Sequence, residues 1–199
     1  MCIRDRFYTD RILRDLKIPF HEGFSTDNLN GRIDYLIYSA AYEPDSHPEL
    51  LEARRRGIPI VEYSQALGEF SSLTYSTGVS GVHGKTTSTA ILGTMIKELG
   101  LPGSVLVGSA VKNFDNRATY YGGDRFFIAE TCEYRRHFLN FFPKQLIITN
   151  IDLDHVDYYR NYSEVENAFW EYAMKLPEGG RLIYCADDPG ARSLAEKLK

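Results

Sequence analysis

A glycine-rich stretch that runs directly into a helical pattern limits the folds open to this 199-residue chain more than any other feature. It consists of Gly81-Val82-His83-Gly84-Lys85-Thr86-Thr87, and an amphipathic segment over residues 88–99 follows at once. Glycines allow a tight turn whose N–H groups point at an anion, while the lysine adds a mobile positive charge and the threonine a hydroxyl for magnesium. The positive end of the following helix strengthens the same site. The stretch therefore predicts a loop that binds nucleotide phosphates.

The stretch departs from the usual phosphate-loop pattern at one position. Val79 stands where that pattern has its first glycine, five residues before Gly84. A glycine-rich turn between a strand and a helix that binds nothing is the alternative interpretation. The Lys-Thr-Thr sequence that completes the stretch favours phosphate binding over this alternative.

Composition and charge exclude several classes of protein. The chain is 43% apolar, enough for a packed core, and its formal net charge of −4 is spread without a basic face, which argues against nucleic acid as the main partner. The three cysteines, Cys2, Cys132 and Cys185, are far apart and lack zinc-ligand spacing, so we expect a reducing cytoplasm. No apolar run predicts a membrane span or a signal peptide.

Short apolar runs alternate with helical patterns, as is typical of a parallel sheet with helical crossovers. Small polar residues over 71–77 predict a linker between two α/β domains, over 7–70 and 78–199. Beyond the loop we predict strands over 105–107, 126–129, 145–149 and 181–184, and helices over 88–99, 163–175 and 189–199. Residues 1–6 are set aside, and a helical pattern that stops at the chain end leads us to expect a fragment of a longer protein.

Polar residues follow three of the predicted strands, where ligands gather in open parallel sheets. The phosphate loop follows one strand, Glu130-Thr131-Cys132-Glu133 follows the next, and Asn150-Ile151-Asp152-Leu153-Asp154-His155 follows the third. Taken alone, Glu133 is as readily a surface acid and His155 a loop histidine. Taken together, they predict a magnesium site with ligands from Thr86 and Glu133, and a role for His155 at a second metal or at the transferred phosphoryl group.

These motifs resemble the ATP-dependent Mur ligases. The likeness rests on residues 81–87, on Phe127-Ile128-Ala129-Glu130 leading into Glu133, and on the segment from Thr149 to Tyr158, and it covers nearly the whole chain. It implies a partial Rossmann-like N-terminal domain that binds UDP, followed by a phosphate-loop-containing parallel-sheet domain that binds ATP and Mg²⁺. Thr131-Cys132 replaces the Ala-Asp pair usual before Glu133, which removes negative charge near the predicted metal site.

The resemblance also implies an activity and its substrates. It implies a ligase that joins L-alanine to UDP-N-acetylmuramate through an acyl phosphate in peptidoglycan precursor synthesis. Lys85, Glu133 and His155 would be catalytic, residues 81–87 would hold the phosphates, and Thr86, Glu133 and His155 would be metal ligands. The isolated fragment is expected to be inactive, because the likeness lacks the glycine-rich UDP loop and the amino-acid-binding domain.

Two alternatives remain open. The first is a recycling ligase that adds a whole tripeptide to the same nucleotide sugar, which Glu133-Tyr134 favours slightly, whereas the region over 101–111 favours alanine addition. The second belongs to another class, a phosphate-loop module that binds nucleotide without ligase activity.

Overall fold

A computed structural model of the chain describes residues 3–198, so Cys2 lies outside the described residues. The chain divides into two compact units, Met1–Tyr63 and Ser64–Lys199. Among the described residues, no helix combines the length and apolar character that a membrane crossing requires.

The first unit is a small α/β unit with two parallel strands. Its elements are α1 (Ile3–Asp15), a 3-10 helix (Thr26–Leu29), β1 (Leu36–Tyr38), α2 (Pro48–Arg55) and β2 (Ile60–Glu62). Strands β1 and β2 pair in parallel with Leu36 opposite Ile60, and α2 connects them. Pro48 suits the first turn of α2, where its missing N–H would have no partner in the helix.

The second unit contains a six-stranded sheet within the described part of the chain. Its strands are β3 (Tyr75–Ser80), β4 (Gly103–Val111), β5 (Arg117–Tyr121), β6 (Phe126–Glu130), β7 (Gln145–Ile148) and β8 (Arg181–Tyr184). Their order is β5-β4-β6-β3-β7-β8, and only the β4–β5 pair is antiparallel. Its helices are α3 (Tyr63–Ser72), α4 (Lys85–Glu98), α5 (Tyr162–Ala173) and α6 (Pro189–Lys197). The predicted α/β fold is confirmed.

The core of the second unit lies on both faces of β3 and its neighbours. One cluster packs strands β6 and β7 against α5 and α6, and the other packs β3 and β4 near α4. Strand β3 is buried at every position after Tyr75, as expected for a central strand covered on both faces. The carboxyl ends of β3, β6 and β7 therefore meet at one edge of the sheet.

Residues 71–77, predicted as a linker, instead belong to the folded second unit. They contain the last two residues of α3 and the first three of β3. The Ser71 hydroxyl donates to Gly68 O and accepts from the N–H of Phe142, and the Ser76 hydroxyl donates to Phe142 O. Ser71 and Ser76 are buried against the backbone of Phe142, so the segment is part of the packed unit rather than a flexible connection.

Several short elements of the second unit were not predicted. The hairpin partner β5 was missed, and β4 extends well beyond the predicted strand over 105–107. A 3-10 helix over Tyr134–Asn140 also follows the Glu133 region, with Arg135 and Arg136 at φ of 49° and 60°. Arg135 and Arg136 therefore have left-handed backbone conformations, which the hydrophobic periodicity of the sequence does not predict.

Candidate functional site

The predicted phosphate loop lies between β3 and α4, at the carboxyl edge of the sheet. Gly81 and Gly84 have φ of 134° and 82°, values that L-residues rarely adopt. Gly84 is the N-cap of α4 and supplies no side-chain cap, whereas Asn161 and Asp188 cap α5 and α6 with their side chains. The first N–H groups of α4 therefore remain available to an anion.

Two residues after β7 hold this loop in place. Thr149 Oγ1 donates to His83 O at 2.6 Å, and Asn150 both accepts from His83 N at 2.9 Å and donates to His83 O at 2.9 Å. A Cβ atom on Gly81 would lie 2.0 Å from Thr149 Oγ1 and 2.9 Å from Asn150 N. The residues that follow β7 thus fix the loop backbone, and their close approach requires glycine at position 81.

Lys85 and Glu133 form a nearly buried ion pair beside the loop. Lys85 Nζ lies 3.2 and 3.1 Å from the two carboxylate oxygens of Glu133 and donates to Gly81 O at 2.5 Å. Their side chains are 13% and 1% exposed. The Tyr159 hydroxyl donates to the backbone oxygen of Glu133 at 2.6 Å and so helps to fix the position of this residue. The structure therefore brings two of the predicted site residues into direct contact.

The carboxylate that contacts Thr86 is Glu130, a residue to which the sequence prediction gave no role. Thr86 Oγ1 donates to Glu130 Oε1 at 3.0 Å, and Gly108 N donates to Glu130 Oε2 at 2.7 Å. Glu130 is the last residue of β6, and its position at a strand end was the signal that could have identified it. It joins Thr86 of the phosphate loop to Gly108 of β4.

His155 lies on the other side of Glu133. Its Nε2 atom is 3.3 Å from Glu133 Oε1, and its ring lies 4.7 Å from the ring of Tyr134. Tyr134 is in turn held by a hydrogen bond from its hydroxyl to Asp157 Oδ2. Cys132 completes a cluster with Glu133 and His155 that has metal-ligand chemistry. Desolvation raises the pKa of the Cys132 thiol, although the residue reaches the surface.

A cavity of about 580 Å³ opens beside Thr86 and Thr87. Its walls come from one face of α4 and from the end of β4. They combine the apolar side chains of Ile91 and Met95 with the polar residues Lys112 and Asn113. Its volume is within the range of small-molecule sites in proteins. Because it shares Thr86 and Thr87 with the phosphate loop, a ligand there would lie next to bound phosphates.

The central parallel strand, glycine-rich loop and uncapped helix define this unit as a phosphate-loop nucleotide-binding domain. Residues 79–199 match the model of the Mur ligase middle domain, and residues 3–75 match that of the Mur ligase family, catalytic domain. The chain belongs to the Mur ligase family, as the resemblance implied.

Relatives and solved structures refine this assignment. The chain is 50% identical over 194 residues to the UDP-N-acetylmuramate–L-alanine ligase of Treponema pallidum strain Nichols, covering 98% of this chain and 40% of the relative. It is 47% identical over 189 residues to that of Borreliella afzelii, covering 94% and 40%. The Thermotoga maritima UDP-N-acetylmuramate–alanine ligase structure gives a TM-score of 0.74 at 26% identity, covering 92% of this chain and 42% of that one.

The chain corresponds to only a part of such a ligase. It is a partial-length homologue of the UDP-N-acetylmuramate–L-alanine ligases and spans about 40% of the length of these curated relatives. A tripeptide-type ligase from Neisseria meningitides matches with a TM-score of 0.76 but at 21% identity, covering 94% of this chain and 63% of that one, and so shows the fold alone.

Proposed function

We propose that this chain is the UDP-binding and ATP-binding part of a ligase that joins L-alanine to UDP-N-acetylmuramate through an acyl phosphate. The observation that carries the proposal is the phosphate loop with Lys85 and Thr86 on two separate carboxylates at the sheet edge. The alanine-adding relatives at 47–50% identity support L-alanine as the acceptor. A cytoplasmic location belongs to the same proposal.

The loop residues 81–87 are assigned to the phosphates of ATP. The N–H groups of the loop and the N-terminus of α4 would neutralise charge on the phosphate oxygens. The Lys85 side chain would move, so that its ammonium leaves Glu133 and contacts the β and γ phosphates. Thr149 and Asn150 keep the loop backbone in this shape before the nucleotide arrives. Such positioning and charge stabilisation account for most of the rate gain in phosphoryl transfer.

The oxygen atoms around Thr86 fit magnesium. The Thr86 hydroxyl and the Glu130 carboxylate are hard ligands 3.0 Å apart, which is the donor chemistry that Mg²⁺ prefers. Glu133 and His155 supply a second pair of donor atoms, as the sequence predicted for a metal site. When bound, Mg²⁺ would neutralise negative charge that develops on the phosphates. Lys85, Glu133 and His155 are assigned as the catalytic residues of the proposal.

The cavity beside Thr86 is assigned to the nucleotide-sugar substrate. Its volume of about 580 Å³ and its shared wall with the phosphate loop suit a sugar that presents a carboxylate to the γ phosphate. Lys112, one of its lining residues, supplies positive charge for an anionic substrate. The unit that ends at Tyr63 is assigned to UDP and the unit that begins at Ser64 to ATP. We expect the 199 residues alone to bind Mg-ATP weakly and not to turn over.

The test is ADP release by the full-length protein that contains this chain, supplied with Mg-ATP, UDP-N-acetylmuramate and either L-alanine or the tripeptide. Turnover with L-alanine alone is the expected result. Turnover with the tripeptide alone would assign the recycling activity instead. If Mg-ATP binds but neither acceptor reacts, the chain is a nucleotide-binding module without ligase activity.

A further inference from the structure

The side chain of Tyr134 connects two segments that follow different strands of the sheet. Tyr134 directly follows Glu133 in the segment after β6, whereas His155 and Asp157 belong to the segment after β7. The ring of Tyr134 lies 4.7 Å from the ring of His155, and its hydroxyl donates to Asp157 Oδ2 at 2.7 Å. One tyrosine thus joins both segments and contacts a predicted site residue.

The backbone of His155 is held more firmly than its ring. It has a φ of 52°, a left-handed conformation that is uncommon outside glycine. Its N–H donates to Asp154 Oδ1 at 2.7 Å, and its carbonyl accepts from the N–H of Tyr158 at 2.8 Å. These hydrogen bonds fix the turn. The direction of the imidazole, whose side chain is 32% exposed, depends instead on its contacts with Glu133 and Tyr134.

We propose that Tyr134 is a positioning residue, which holds the His155 imidazole against Glu133 for phosphoryl transfer. The catalytic consequence rests on the proposed function, because it requires His155 to act at the transferred phosphoryl group or its metal. The contacts of Tyr134 do not depend on that function. A small displacement of a catalytic group is enough to slow a reaction, because the reacting groups must be aligned in the transition state. Tyr134 acts through His155 and is assigned no contact with substrate.

Tyr134 is itself held on more than one side. Its hydrogen bond to Asp157 has the short length of a bond between a hydroxyl and a carboxylate. The guanidinium of Arg135 lies 5.5 Å from the centroid of its ring, and the ring of Tyr158 lies 6.1 Å away at an interplanar angle of 69°. Because these neighbours restrict the Tyr134 ring, the ring can in turn restrict the imidazole of His155.

The phosphate loop has supports of its own, which separates an effect on catalysis from an effect on nucleotide binding. Thr149 and Asn150 hold the loop backbone, and among the described residues no hydrogen bond joins Tyr134 to the loop. Loss of Tyr134 should therefore lower kcat while the affinity for Mg-ATP stays within about twofold, as expected for an interaction that matters only in the transition state. A general structural defect would weaken both.

The first experiment measures ADP release and Mg-ATP affinity in the full-length protein that contains this chain, with UDP-N-acetylmuramate and L-alanine. Tyr134→Leu removes ring and hydroxyl and should lower kcat by about tenfold, and Tyr134→Phe, which keeps the ring, should lower it less. Asp157→Ala removes the acceptor of the hydroxyl, so in that background Tyr134→Phe should lower kcat no further. Tyr158→Phe is the matched control and should keep kcat, since its hydroxyl forms no hydrogen bond with a described residue.

The second experiment observes the ring of His155 directly, by proton NMR of the 199-residue chain. An aromatic ring 4.7 Å away displaces the signals of the imidazole protons through its ring current. Loss of these signals in His155→Gln assigns them. We expect them to move in Tyr134→Leu and to stay in place in Tyr158→Phe.

Several outcomes would overturn the positioning role. They are unchanged kcat in both Tyr134 variants, equal losses of kcat and Mg-ATP affinity, additive effects of Tyr134→Phe and Asp157→Ala, or unmoved His155 signals in Tyr134→Leu. If Tyr134→Leu unfolds, as judged by circular dichroism, Tyr134→Phe and its combination with Asp157→Ala decide the matter. If the unchanged full-length protein does not turn over while the His155 signals respond to Tyr134→Leu, the proposed function fails and the catalytic role with it, whereas the contact between the two rings stands.

Discussion

At the scale of single residues, Lys85 combines burial, charge and contact with the loop backbone. Its ammonium lies against Gly81 O and both oxygens of Glu133, and little of either side chain reaches solvent. A buried ion pair adds little net stability compared with apolar packing, but removal of one partner leaves the other charge without compensation. Lys85 therefore affects both nucleotide binding and folding.

Substitution Lys85→Ala is expected to abolish measurable Mg-ATP binding and to lower the free energy of unfolding by about 3 kcal/mol, because Glu133 stays buried without its cation. Calorimetric titration gives the affinity and urea denaturation the stability. The double variant Lys85→Ala/Glu133→Gln is the control. It should recover much of the stability but none of the binding. Unchanged ATP affinity in Lys85→Ala would remove the phosphate-loop assignment.

Tyr172 gives a pH-dependent prediction at the same scale. Complete burial raises the pKa of its hydroxyl, which donates to Thr131 Oγ1 at 3.2 Å. Its pKa in the unfolded chain is about 10, so the folded state holds this proton more strongly. The stabilisation is full below pH 10 and falls as the pH rises further. Tyr172→Phe should flatten this alkaline fall in urea midpoints, whereas exposed Tyr121→Phe should not.

At the scale of elements, the turn between β3 and α4 depends on the strand end beside it. Gly81→Ala places a Cβ against Thr149 Oγ1 and the backbone of residue 150, at a φ of 134°. The loop must move, so we expect at least tenfold weaker binding of a fluorescent ATP analogue. Gly100→Ala is the control, since it has a φ of 62° but open space. Equal ATP affinity in both variants would show that the loop shape is unimportant.

The elements most accessible to sequence analysis are those with strong local signals. The loop and α4 follow from the glycines and the Lys-Thr-Thr sequence, and β6, β7 and β8 follow from short apolar runs, whereas half of β3 lay inside the predicted linker. Strand β5 was missed because Arg117–Tyr121 lies at the sheet edge and has few buried residues to create a pattern. The segment over 71–77 was misinterpreted because small polar residues occur both in linkers and in closely packed contacts such as Ser71 with Phe142.

The sequence could predict which residues lie together at the sheet edge, but not which of them contact each other. The sequence pointed to Lys85, Glu133 and His155, which the structure brings together. It could not show that Thr86 pairs with Glu130 rather than with Glu133, because the two acids lie three residues apart and the chain turns after Glu130. The direction of each side chain depends on tertiary packing, which spacing alone does not encode.

At the scale of the whole molecule, the chain contains two units, and the nucleotide-site residues lie in the second. A polypeptide of residues 64–199 is expected to fold and to bind Mg-ATP within threefold of the 199-residue chain. A polypeptide that begins at residue 73 lacks α3 and therefore the contacts of Gly68, Phe70 and Ser71 with the sheet unit. It should melt at a lower temperature, as measured by circular dichroism.

The opposite result would contradict the boundary at Tyr63 and Ser64. If the polypeptide from residue 73 is as stable as that from residue 64, then α3 contributes nothing to the second unit. If residues 64–199 fail to bind ATP while the longer chain binds it, the first unit is needed for the nucleotide site.

The pairing of Lys85 with Glu133 has a consequence for selectivity among anions. The ammonium of Lys85, the cation of the loop, already pairs with the internal carboxylate of Glu133. An incoming anion must therefore exchange with Glu133 and cannot simply add to a bare cation. A small anion such as inorganic phosphate has few contacts with which to drive that exchange, whereas a triphosphate also contacts the loop amides and the helix end. The loop should consequently discriminate against the abundant small anions of a cell.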